Sequence, residues 1–190
     1  GEAKAEEKET MMHQSGRIIE NGPLHLTIEK NGTITMEDRK NKRKLNNLHI
    51  FEDIGDIGNE YIFKQPFCDQ PILSSNKENS EVKVLVDTPE IAKISILQEM
   101  EIPVSADERL EKEQQMVVEF RYRKAERSKE KRILQIKTIM TIRKDSKKID
   151  FETTLDNQMK DHRLRVLFST KLHVEHHEAD SIFEVVKRPN

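Results

Sequence analysis

Alternation with a period of two narrows the choice of fold more than any other feature of this chain. In LHLTIEKNGTITMED the apolar residues fall at Leu24, Leu26 and Ile28, then at Ile34 and Met36. Successive side chains of a strand point to opposite faces, so each run has one apolar and one polar side. Glu29-Lys30-Asn31-Gly32 joins the two runs. Asn-Gly in that place signals a hairpin, because both residues accept the positive φ of a tight primed turn. Runs of the same kind return at Glu81–Thr88, Ala92–Ile102, Met116–Arg123 and Arg132–Arg143, then as KIDFETTL, RLRVLFSTKL, a histidine-bearing segment and IFEVV. Val, Ile, Thr and Phe dominate them. Polar gaps such as RKDSKK and DNQMKDH separate them. Ser105–Gln115, SADERLEKEQQ, holds helix formers but little apolar face, and reads as a solvated connector. The pattern predicts an all-β fold, an antiparallel β-sandwich of about eight to ten strands.

Charged residues make up 36% of the chain and hydrophobic residues 34%. Most of the charge fits the solvated faces of the strands. The net charge of -2 gives no drive toward nucleic acid or an anionic membrane. No apolar run approaches the roughly 20 residues of a membrane helix. The single cysteine, Cys68, excludes an internal disulfide framework and leans toward a cytoplasmic setting. Residues 1–16 are charged and lack a core pattern, so they read as a leader expected to be disordered. The sandwich domain is expected over 17–190. An apolar strand runs straight into Arg188-Pro189-Asn190, so an incomplete sandwich, part of a longer polypeptide, is expected.

The usual catalytic signatures are missing. There is no Gly-x-Ser-x-Gly and no glycine-rich phosphate loop. Cys68, beside Pro66 and Phe67, reads as a buried or partly buried thiol. The basic run Arg39–Lys44 has no interleaved aromatics and reads as a solvated turn rather than a nucleic-acid site. In HVEHH a strand places His173, Glu175 and His177 on one face, which could hold a metal; a strand edge with titratable side chains is the plainer reading. With no Trp and two Tyr, the chain lacks the flat rings of a free-standing sugar-binding module.

One stretch resists a purely structural account. FEDIGDIGNEYIFKQP, Phe51–Pro66, sets Asp53, Asp56, Asn59 and Glu60 around Gly55 and Gly58 before an apparent strand restarts at Tyr61. Glycines allow close backbone approach. Carboxylates on such a loop can accept hydrogen bonds from sugar hydroxyls; turn chemistry alone is the competing reading.

The order of these pieces resembles the C-terminal β-sandwich region of bacterial α-mannosidases of glycoside hydrolase family 38. The resemblance rests on Asn21 opening a strand, the Asn31-Gly32 hairpin, and the F-x-D-x-G-D-x-G-x-x-Y segment. DHRLRVLFST and DSIFEVVKRP add to it. Asn59 departs from the pattern, since Asp is frequent there. The resemblance implies a galactose-mutarotase-like supersandwich from a retaining α-mannosidase with zinc in its sugar site. It implies that nucleophile and zinc ligands lie in an N-terminal catalytic domain of the same polypeptide, so that no catalytic residue, metal ligand or cofactor belongs to this part. By motif match, Asp53, Asp56, Tyr61 and Arg188 are the substrate-binding candidates, at the sugar cleft or the domain seam. The expected partners are the catalytic domain, a mannoside and, through exposed sheet edges, a second copy of the chain. The alternative is a non-catalytic, stand-alone β-sandwich interaction module.

Overall fold

A computed structural model describes residues 10–189. Its strands are β1 (Met12–His13), β2 (Ile18–Glu20), β3 (Leu24–Ile28), β4 (Ile34–Asp38), β5 (Arg43–Gly55), β6 (Ile72–Leu73), β7 (Glu81–Asp87), β8 (Ile91–Pro103), β9 (Lys131–Arg143), β10 (Ile149–Leu155), β11 (His162–Phe168), β12 (His176–Asp180) and β13 (Val185–Pro189). A single α-helix among the described residues, α1, spans Glu108–Gln115. All pairings between strands are antiparallel. One sheet runs β1-β2-β3-β4-β5-β11, with β6 also on β5; a four-stranded sheet runs β10-β9-β8-β7; β12 and β13 form a ribbon.

The two larger sheets stack as the alternation demands. Leu24, Leu26, Ile28 and Ile34 of one meet Ile94, Ile96, Met140 and Ile142 of the other in one core cluster. Phe51, Met100, Ile102, Leu134 and Ile136 continue the core toward the other end. Burying each such side chain contributes about 1.5–3 kcal/mol, so these inward faces dominate the stability.

Two polar side chains join the sheets through this core. The Asn21 amide donates to the carbonyls of Arg143 and Ser146, both at 2.7 Å, while its own oxygen accepts Leu24 N–H at 3.1 Å. His49 sits at a bulge of β5 with φ +64°. Its ring stacks on Phe151, centroids 5.4 Å apart, and its Nε2 meets Thr138 Oγ1 at 3.1 Å. Burial pushes its pKa down to about 4, because a charged imidazole is disfavoured away from water.

Several expectations change. The β3–β4 hairpin forms, but its turn is not primed. Gly32 N–H donates to Glu29 O at 3.0 Å and Glu29 N–H to Thr33 O at 2.9 Å, with Gly32 alone in the positive-φ region. This is a three-residue connection ending in a left-handed glycine. Ser105–Gln115 is mostly helix rather than connector: Asp107 caps α1 by accepting Arg109 N–H at 3.1 Å. The helix shows little apolar face in sequence because its buried side chains are Leu110 and a carboxylate, Glu113, which takes the N–H groups of Lys124 and Ala125. Met116–Arg123 is no strand but a helix end and a short 3₁₀ turn, Phe120–Tyr122. The first sheet starts before Arg17: within the expected leader, β1 and the turn Gln14–Gly16 are ordered and Met11 and Met12 are buried in the core, while residues 1–9 lie outside the described residues. Cys68 is exposed, not buried. No helix among the described residues is long and apolar enough to cross a membrane.

Candidate functional site

The Phe51–Pro66 stretch splits at Gly55. Phe51–Gly55 is the end of β5, not a loop, and Tyr61–Phe63 is irregular rather than a strand. On β5, Asp53 is in phase with Phe51 and therefore points inward, where it is fully buried. Its register partner on β11 is Leu164, and His162 stands opposite Gly55 on the same face. His162 Nδ1 lies 2.5 Å from Asp53 Oδ1. The Arg127 guanidinium, from the connector after α1, donates to Asp53 Oδ2. Asp69 completes the group: its Oδ2 accepts Gly55 N–H at 2.7 Å and its Oδ1 faces Arg127 Nη1 at 3.7 Å. Arg127 Nη1 is buried and makes no hydrogen bond among the described residues. A buried charge survives only when paired and hydrogen-bonded, and this cluster pairs carboxylates with a fixed internal cation.

The glycines serve the same junction. A Cβ on Gly55 would come within 2.9 Å of the Arg127 side chain, and one on Gly58 would lie 1.8 Å from Ile62 O. The close approach they permit is to their own chain.

Beyond Gly55 the loop is held by its own acids and amides. Asp56 Oδ1 accepts Gly58 N–H at 2.9 Å and Lys64 N–H at 3.0 Å. Asn59 Oδ1 accepts Tyr61 and Ile62 N–H, both at 2.9 Å. An amide oxygen suffices for that task, so Asn59 loses nothing there for want of a charge. Arg123 Nη1 donates to Ile57 O at 2.7 Å and to Gly58 O, while its Nε donates to Val118 O at 3.2 Å. This fastens the loop to the segment that follows α1.

The four candidate residues are therefore not one constellation. Asp53 is sealed beneath the surface, and one oxygen of Asp56 is taken by backbone. Tyr61 is exposed at the loop tip. Arg188 is exposed on β13, opposite His177 of β12. Of the residues that organise the region, Arg127, Asp69 and Arg123 carried no motif, and His162 lay in DHRLRVLFST without being singled out. A signal for His162 was present, since it alternates in phase with Leu164. No group of three or more His, Cys, Asp or Glu side chains among the described residues is arranged to hold a metal; that includes His173, Glu175 and His177.

Comparison with known proteins places this geometry. Residues 19–190 match the family described as glycosyl hydrolases family 38 C-terminal domain. The chain belongs to that family. A crystal structure of an α-mannosidase from Enterococcus faecalis V583 superposes on all of this chain with TM-score 0.91 and 47% identity, over 21% of that protein. A second structure from Enterococcus faecalis, described as a protein in the glycosyl hydrolase family 38, gives the same TM-score and identity over 23% of its chain. A curated relative from Halalkalibacterium halodurans, named "Putative mannosylglycerate hydrolase", is 35% identical over 183 residues, 96% of this chain and 20% of that protein. The chain thus spans about a fifth of the length of these relatives.

Proposed function

We propose that this domain is the β-sandwich of a cytoplasmic, zinc-dependent, retaining α-mannosidase that hydrolyses terminal α-mannosides. The observation that carries the reading is the 47% identity, along the whole chain, to the Enterococcus faecalis α-mannosidase. The name of the Halalkalibacterium halodurans relative also points to a mannose-bearing glycoside. Retaining hydrolysis needs a nucleophilic carboxylate and an acid/base on opposite sides of the bond, about 5–5.5 Å apart. In this reading both come from an N-terminal catalytic domain, and zinc is held there too. The described residues offer no fitting donor set for it, and where Asp53, Asp69 and His162 meet, Arg127 takes the place of a cation.

The sandwich then supplies support and the edge of the sugar cleft. Asp53 and Asp56 shape the loop from within. Tyr61 lies at the domain seam. Arg188, a planar donor with five N–H groups, suits sugar hydroxyls or a neighbouring carboxylate. The test is hydrolysis of a chromogenic α-mannoside with added zinc. This chain alone should be inactive. A polypeptide that also carries the remaining four-fifths of its relatives' length should be active, with KM raised by Arg188→Ala. No hydrolysis by the long polypeptide would defeat the assignment in favour of a stand-alone interaction module.

A further inference from the structure

The end of the sandwich that hides Asp53 and Arg127 turns apolar side chains outward. Tyr61 is 86% exposed, Met116 68%, Val117 86% and Tyr122 65%. They come from two segments that Arg123 bonds side by side, through Ile57 O and Gly58 O on one and Val118 O on the other. The exposure is not that of a slack loop, because backbone and side-chain hydrogen bonds fix both segments.

Val117 shows what this arrangement costs. Helix α1 ends with Val117 N–H donating to Gln114 O at 3.0 Å and Val118 N–H to Glu113 O at 2.8 Å. That pattern places Val117 at the left-handed position where helices usually carry glycine, and its φ is +57°. A β-branched residue there is strained, because its Cβ crowds the neighbouring backbone. Its side chain is almost wholly exposed, so the domain alone gains little from it. The makeup of the patch fits an interface: two tyrosines and a methionine, with Glu60, Lys64, Glu119 and Arg121 close by in sequence.

We infer that this crest, Tyr61, Met116, Val117 and Tyr122, is the face on which the catalytic portion of the same polypeptide docks. The occupant follows from length: in the relatives, this domain is about a fifth of a chain whose other four-fifths must meet it somewhere. The inference rests on the enzyme reading above, and its test separates the two.

Both of the chain's two tyrosines belong to the crest, so nitration, mapped residue by residue, reports on it directly. In the isolated chain both should react. In the long polypeptide both should react at least about tenfold more slowly, as expected for a buried segment. Val117→Asp, on an exposed position that tolerates the backbone better with Asp, should leave the isolated fold intact and restore nitration in the long form. Equal rates in short and long forms would overturn the inference. So would slowing that appears in the isolated chain as its concentration rises, since the occupant would then be a second copy. Mannoside hydrolysis is read on the same samples. Activity with reactive tyrosines sinks the docking face and leaves the enzyme reading standing; protection without activity supports the docking face and sinks the other.

Discussion

The two ends of this sandwich are finished in opposite ways. At the end where β9 runs out, one neutral amide, Asn21, binds both sheets through carbonyls of Arg143 and Ser146. Core side chains there point inward, and nearby charges such as Arg143, Asp150 and Lys147 lie outside. At the other end charges lie inside, in Asp53, Arg127, His162 and Asp69, and outside the buried Ile57 and Leu110 the chain exposes Tyr61, Met116, Val117 and Tyr122. A domain that completes its own surface has no need of the second arrangement. The ion cluster works as a rivet that holds two loops in position, and the apolar crest is what those loops present.

Substitutions should separate the ends by size of effect. Asp53→Ala leaves Arg127 and His162 buried without their carboxylate and should cost about 3–5 kcal/mol in denaturant unfolding. Acid should act on the middle of the sandwich. The folded state keeps His49 neutral, with a pKa of about 4 against an ordinary 6.5. The unfolded chain therefore takes up that proton first as pH falls. The stability is full above about pH 6.5 and declines toward pH 4, by up to about 3 kcal/mol. Denaturation midpoints against pH should show this slope, and His49→Phe should flatten it. Asn21→Ala removes the hydrogen bonds to the part-buried carbonyls of Arg143 and Ser146 at the finished end and should cost about 1–3 kcal/mol. Smallest, and opposite in sign, Val117→Gly should raise the melting temperature of the isolated chain, by about 1 kcal/mol of stability, since it removes left-handed strain. A loss of stability in that variant would mean that Val117 packs usefully within the domain itself.

The sandwich was legible because period-two alternation reports burial directly. β8 and β9 pair residue by residue from Ile91 with Arg143 to Pro103 with Lys131, as two long alternating runs should. Helix α1 was hidden because a carboxylate, Glu113, fills a place where the pattern looks for an apolar residue. Val117 and Val118 read as strand because β-branched residues favour strands, whereas here they form the left-handed end of α1. The acids of Phe51–Pro66 drew attention for residue type, but phase held more information. Asp53 alternates with Phe51, which puts it inside, and nothing local announces its partner Arg127, 74 residues away. Long-range ion pairing leaves no trace in spacing.

Backbone hydrogen exchange in the isolated chain and in the long polypeptide tests the contrast between the ends most directly. Amides at 57–64 and 116–123 should exchange at least about tenfold more slowly once the rest of the polypeptide is attached, while those at 20–24 and 143–148 keep their rates. Equal change at both ends, or change only at the Asn21 end, would contradict that contrast.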